Sequence, residues 1–289
     1  MTGPDAAGGP VPAGQDAPLP DGPAWLFCPA DRPERFDKAA AAADVVILDL
    51  EDGVAPGARP EARRALRHAA VRLDPARTVV RISPLGTPDH DADRAALRDL
   101  PLRTVMLAKT ESAAQVATLS GLRVVALCET PAGVREAAAI AEVSDALMWG
   151  AEDLIAGLGG SSSRRPDGRY RDVARHARAV ALIAAGAAGI PALDSVYLDL
   201  DDLDGLAAEA TDAVESGFAA KVCVHPRQVP VVRRAFAPTA QQLEAARRIV
   251  EAAGSRPGVG VFALDGRMVD EPLIRQARRL LSRAASSTG

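Results

Sequence analysis

Two short apolar runs near the middle of the chain end in acid. Val124–Cys128 stops at Glu129, and Ala146–Trp149 is followed within four residues by Glu152 and Asp153. Short apolar runs bounded by turn residues read as buried strands, and Ala132–Glu142 between them reads as a helix. Strand, helix, strand is a βαβ unit with parallel neighbouring strands, so Glu129 and Asp153 are carried to the same end of one sheet. Two carboxylates converging there can hold a hard divalent cation through oxygen. Either acid alone would read as a helix cap or a first-turn acid that suits the helix dipole. The pair at matching strand ends is what points to a metal.

The elements that must position these acids recur along the whole chain. Trp25–Cys28 runs into Pro29-Ala30-Asp31-Arg32-Pro33, and a helix follows to about Ala43. Val45–Leu50 ends in Asp49-Leu50-Glu51-Asp52-Gly53; the helix after it places Ala62, Ala65, Leu66, Ala69 and Leu73 on one face. Val79–Ile82 contains Arg81, Thr104–Ala108 ends at Lys109, Ala192–Leu198 contains Asp194, and Lys221–Val224 leads into His225-Pro226. Helices are expected at Asp172–Ala188, Leu203–Ser216, Val229–Phe236 and Ala240–Ala253, with a Gly- and Ser-rich loop over Gly157–Gly168. Eight strand–helix alternations of this size predict an α/β fold, a (β/α)₈ TIM barrel over residues 24–256, with chemistry at the carboxyl ends of the strands. A doubly wound open sheet is the alternative, but no phosphate-binding glycine fingerprint follows the first strand.

Outside the barrel, residues 1–23 are rich in Pro, Gly and Ala and lack a basic leader, which predicts a disordered N-terminal tail. Residues 257–289 are surplus to a barrel. Val259–Leu264 and Arg267–Val269 flank Asp265-Gly266, a strong hairpin signal, and Asp270-Glu271-Pro272 opens a final helix. A net charge of −4 gives no case for nucleic acid or an anionic membrane, and no apolar run reaches spanning length. Cys28, Cys128 and Cys223 are odd in number, lie in apolar runs and lack metal spacing, which suggests a reducing cytoplasm. The only lysines are Lys38, Lys109 and Lys221.

Most of the mouth residues also have a plain structural reading. Arg81 can pair with Glu51 or Asp52, Asp52 can cap the following helix, and Lys109 can pair with a neighbouring acid. Glu51 suits ordering water around a metal. His225 suits a strand-end hydrogen bond, and Asp270 suits a helix cap before Pro272. The Ser161–Arg165 stretch is either a lid or a flexible loop.

Seven motifs in order then resemble one family: Trp25-Leu26-Phe27-Cys28-Pro29-Ala30, Leu48-Asp49-Leu50-Glu51-Asp52-Gly53-Val54, Val80-Arg81-Ile82, Leu127-Cys128-Glu129-Thr130, Gly150-Ala151-Glu152-Asp153-Leu154, His225-Pro226-Arg227-Gln228 and Asp265-Gly266-Arg267-Met268-Val269-Asp270. The chain resembles the HpcH/HpaI aldolase–citrate lyase β-subunit family, and within it the stand-alone citrate-lyase-β-like branch of actinobacteria. The resemblance implies a Mg²⁺-dependent carbon–carbon lyase acting next to a coenzyme A thioester. It implies Glu129 and Asp153 as metal ligands, with Glu129 also facing substrate, and Arg81 as the arginine contacting substrate. Arg32, Arg35 and Lys38 match basic residues set against CoA phosphates. Asp270 matches an aspartate donated by the adjacent protomer; with Arg81 and Glu51 it forms the implied catalytic set. Ala108, Ala220 and Ser83 depart from the usual proline, glycine and asparagine.

The resulting expectation is cleavage of a short 3-hydroxyacyl-CoA, of the 3-hydroxy-3-methylglutaryl-, citramalyl- or malyl-CoA type, to acetyl-CoA and a keto product. The hydroxyl must lose its proton, the new carbonyl must be polarised, and the thioester enolate must be stabilised. Competing readings are a metal aldolase on free 2-keto acids, a Schiff-base aldolase through Lys109 or Lys221, and a non-catalytic subunit of a citrate-lyase-like complex. The apolar C-terminal arm could fold back on its own barrel; the resemblance implies instead that it packs on a neighbour in a closed ring, which predicts a homotrimer or its doubled hexamer.

Overall fold

The computed structural model describes residues 19–256, 258 and 260–286. Eight parallel strands close into a barrel in sequence order: β1 (Ala24–Pro29), β2 (Val45–Asp49), β3 (Thr78–Ile82), β4 (Thr104–Leu107), β5 (Arg123–Cys128), β6 (Ala146–Trp149), β7 (Ala192–Asp194) and β8 (Ala220–Cys223). β8 returns to pair with β1, so the barrel has no free edge. The strands are almost wholly buried because helices cover the outside and side chains fill the inside. Trp25, Val45, Ile47, Val79, Met106, Val125, Leu127, Met148, Leu193 and Val222 form that interior, with Leu19 packed against it. Residues 1–18 of the expected tail lie outside the described residues.

The helices are α1 (Phe36–Ala42), α2 (Arg59–Ala69), α3 (Pro88–Leu97), α4 (Ala113–Ala117), α5 (Pro131–Arg135), α6 (Ala137–Ala141), α7 (Ala151–Gly157), α8 (Asp172–Ala188), α9 (Leu203–Ser216), α10 (Val229–Phe236), α11 (Ala240–Gly254) and α12 (Glu271–Ser286). Several are capped directly at the mouth of the barrel. Thr87, Ser112, Thr130 and Asp202 accept first-turn amides of α3, α4, α5 and α9. α8 and α9 stop at left-handed glycines, Gly189 (φ 72°) and Gly217 (φ 115°).

Three expectations change. The single helix over Ala132–Glu142 is two, broken at Glu136, whose φ of −95° and ψ of 7° leave the helical region. β7 stops at Asp194 instead of running to Leu198. Before the loop, which starts where it was placed, lies a helix that was not expected, α7, with Gly150 alone between it and β6.

The chain divides into two compact units, one ending at Val232 and one starting at Arg233. In the second unit, β9 (Val261–Leu264) and β10 (Arg267–Asp270) pair as an antiparallel hairpin. Asp265 (φ 52°) and Gly266 (φ 75°) form its turn with both central residues left-handed, which matches the twist of the strands. α11 and α12 pack together in this unit, and Arg256 lies over the Phe262 ring. Val259, at the start of the expected hairpin, lies outside the described residues.

Candidate active site at the barrel mouth

β2 and β3 run side by side with Asp49 and Arg81 as register partners. Asp49 is 2% exposed and grips Arg81 with both oxygens, Oδ1 to Nε at 2.7 Å and Oδ2 to Nη2 at 2.6 Å. It also accepts the backbone amides of Glu51 (2.9 Å) and Gly53 (2.8 Å). A bidentate buried pair of this kind fixes a guanidinium in direction as well as in place. Burial works to lower the Arg81 pKa, but the charge and hydrogen bonds of Asp49 outweigh it and hold Arg81 protonated. The third nitrogen, Nη1, lies 3.4 Å from Glu51 Oε2, and the guanidinium sits 4.6 Å over the Phe27 ring. The pairing of Arg81 with Glu51 is therefore present but secondary. The main partner is Asp49, which the sequence reading did not single out. Its signal was an acid inside a buried apolar run beside an arginine in the next one.

Lys109 follows β4 and adopts φ 49°, in the left-handed region that residues with a Cβ seldom occupy. Its ammonium lies 2.5 Å from Glu51, 2.8 Å from Asp52 and 3.5 Å from Asp153. Burial opposes its charge, but the bonds to Asp52 and Glu51 raise its pKa. Asp52 thus serves Lys109 and caps no helix: the turn after it starts with Ala55 as its cap residue.

Glu129 directly follows the buried strand β5, and Thr130 next to it caps α5. The Glu129 carboxylate is 3% exposed and accepts the Lys109 amide at 3.1 Å. Burial first, then the charge of Asp153, lift its pKa to about 8. Asp153 lies in the first turn of α7. Gly150 makes room for Glu129: a Cβ there would stand 2.7 Å from both Cβ and Oε2 of the glutamate. A carboxylate raised by burial and by a second carboxylate fits a hard cation such as Mg²⁺, which takes oxygen ligands. Among the described residues no group of three or more His, Cys, Asp or Glu side chains could hold a metal, so a cation on Glu129 and Asp153 would keep most positions for water and substrate.

Arg32, Arg35 and Lys38 are all exposed on the turn and helix after β1, and the arginines make loose ion pairs at 3.9 Å to Asp31 and Glu34. Asp270 ends β10 in the second unit and accepts the Leu273 amide, as expected of a helix cap. His225 caps the turn after β8. The Ser161–Arg165 stretch is pinned: Arg164 forks onto Glu209 and stacks on Tyr170 and Tyr197, while Ser163 bonds Glu152.

Lys221 is fully buried on β8, with its ammonium 3.0 Å from Asp194, 2.9 Å from Glu209 and 2.8 Å from the Ser195 carbonyl. Asp194 also holds Arg178 and the Trp149 indole. Burial acts to lower the Lys221 pKa, but the charges of Asp194 and Glu209 raise it. An ammonium so enclosed is a structural tie between β7, β8 and α9.

The chain is similar to known proteins in sequence and in fold. A family model described as HpcH/HpaI aldolase/citrate lyase matches residues 24–226, and one described as a C–C bond lyase of the TIM-barrel fold matches residues 173–287. The "Citrate lyase subunit beta-like protein" of Mycobacterium tuberculosis is 57% identical over 92% of this chain and 97% of its own length. The "Citrate lyase subunit beta" of Escherichia coli is 36% identical over 85% and 87%. Among solved structures, the M. tuberculosis protein CitE in complex with magnesium, acetoacetate and coenzyme A superposes with a TM-score of 0.88 at 56% identity, covering 92% of this chain and 98% of that one.

Proposed function

Since the chain belongs to the HpcH/HpaI aldolase/citrate lyase family, whose members are carbon–carbon lyases on a TIM barrel, we propose that it is a Mg²⁺-dependent lyase. Its substrate would be a short 3-hydroxyacyl-CoA, cleaved between C2 and C3 to acetyl-CoA and a keto product. The observation that carries this reading is the buried Glu129 carboxylate beside Asp153, facing a guanidinium that Asp49 holds rigid. A relative crystallised with magnesium, acetoacetate and coenzyme A supports both the cation and the thioester.

When bound by Glu129 and Asp153, the cation supplies Lewis-acid polarisation of substrate oxygen. Arg81 presents a fixed positive charge to the oxygen of the thioester enolate, and preorganised charge of this kind is a large catalytic term. The C3 hydroxyl gives up its proton to water at the mouth; as the bond between C2 and C3 breaks, the oxygen's electron pair closes the new carbonyl and the pair of the broken bond passes to C2 and the thioester. Asp270, donated by a neighbouring chain, gives a proton to that carbon. Glu51, between Arg81 and Lys109, holds water at the mouth. Arg32, Arg35 and Lys38 receive the CoA phosphates.

A Schiff-base aldolase would need a lysine free to lose its proton, but Lys109 and Lys221 are both held protonated by carboxylates. An aldolase on free 2-keto acids would leave the basic turn after β1 without a ligand. The proposed assembly is a cytoplasmic homotrimer or hexamer. Exposed Val261, Met268 and Leu273 on the arm support a neighbour's covering it. Glu129→Ala and Asp153→Ala should each lose Mg²⁺ binding and turnover while keeping the wild-type circular dichroism spectrum. Retained turnover in either variant would overturn the reading.

A further inference from the structure

One residue touches both carboxylates of the proposed cation site. The Lys109 amide donates to Glu129 Oε1, while its ammonium bridges Glu51 and Asp52 and reaches within 3.5 Å of Asp153 Oδ1. The left-handed backbone at φ 49° makes this double reach possible. A glycine would adopt that backbone without strain and offer the same amide. What lysine adds is its charge.

The charge balance of the mouth gives that ammonium its role. Arg81 is matched by Asp49 through two hydrogen bonds. Glu51, Asp52, Glu129 and Asp153 then remain, with Arg81 at 3.4 Å from Glu51 alone, and the Lys109 ammonium is set among Glu51, Asp52 and Asp153. An ammonium a few ångströms from a divalent ion repels it. Of the three contacts, the one to Asp153 is the longest and is the one that would yield.

Resting on the reading that Glu129 and Asp153 hold the cation, we propose that Lys109 is a built-in counter-cation of the barrel mouth. It competes with the divalent ion for Asp153 and sets how tightly that ion is held. Part of the mouth's negative charge is then offset before the metal arrives, and the metal stays exchangeable.

Mn²⁺ binding, followed by electron paramagnetic resonance, tests this in wild-type protein, Lys109→Met, Lys109→Gly, Lys109→Arg and Glu129→Ala. Lys109→Met and Lys109→Gly should bind Mn²⁺ more tightly, by about tenfold or more, because a nearby positive charge is gone. Lys109→Arg should stay near wild-type, and the gain should shrink as salt is raised. Should Lys109→Met fail to fold, Lys109→Gly, which suits the backbone, carries the test. Equal or weaker binding in the folded variants would overturn the proposal and leave Lys109 as a prop for Glu129. Wild-type protein that binds no Mn²⁺, or binds it as well as Glu129→Ala does, would overturn the cation site itself.

Discussion

Replacing Asp49 with asparagine should unfasten Arg81 without emptying any space. Asp49 accepts four hydrogen bonds, two from Arg81 and two from the amides of Glu51 and Gly53. An amide in its place turns one accepting oxygen into a donor that faces other donors. It also leaves the Arg81 guanidinium, with a side chain only 11% exposed, without its main counter-charge. Breaking one partner of a buried pair costs about 3–5 kcal/mol. Glu51 remains 3.4 Å away and softens the loss, which puts the cost at the low end, about 3 kcal/mol. At about 2–4 °C per kcal/mol for a domain of this size, the melting temperature should fall by about 6–12 °C. Turnover should fall by about a hundredfold, the scale of a misplaced catalytic group. Circular dichroism melts and steady-state kinetics read the two effects separately. The double variant Asp49→Asn/Arg81→Met removes both buried charges, so it should regain stability but no activity. A single variant that melts with the wild-type and turns over normally would refute the claim that Asp49 holds Arg81.

Further outcomes follow from the same geometry. The Glu129 carboxyl, lifted to about 8, binds its proton more tightly in the folded than in the unfolded chain. Its contribution to metal-free stability is therefore full below the ordinary carboxylate range and is lost as pH rises towards about 8. A cation must displace that proton, so apparent Mg²⁺ affinity should climb by up to about tenfold per pH unit below that value and level off above it; a flat titration would contradict this. Gly150→Ala suits the backbone (φ −123°, ψ 130°) but pushes a methyl onto Glu129, so metal affinity should drop by about ten- to a hundredfold in a folded protein. Unchanged affinity would show that Glu129 does not need that space. Alanine at Arg32, Arg35 and Lys38 should raise KM for the thioester with kcat kept, and an equal loss in kcat would remove the phosphate-lip assignment.

The barrel was legible because eight apolar runs alternate with helical or turn-rich stretches, and burial of both strand faces makes such runs nearly continuous. The hairpin was legible from Asp265-Gly266, whose paired left-handed conformations few other residues accept. Glu129 and Asp153 stood out as acids closing apolar runs. Asp49 did not, because its partner is fixed by lateral register between β2 and β3, and periodicity within one strand carries no register. The reach of Lys109 across the mouth depends on a backbone angle that its side-chain type argues against. α4 is only five residues long, and α7 has no loop before it, so neither offers enough periodic sequence to mark it. The break at Glu136 falls within an unbroken helix-forming pattern, where composition gives no stop signal.

The central claim is metal-dependent cleavage of a CoA thioester. Its most direct test is a panel of short 3-hydroxyacyl-CoA esters followed by mass spectrometry, with and without EDTA. At least one ester should yield acetyl-CoA and its keto partner, exhaustive chelation should stop the reaction, and Mg²⁺ should restore it. Turnover that survives chelation, or a product trapped on a lysine by borohydride, would contradict it.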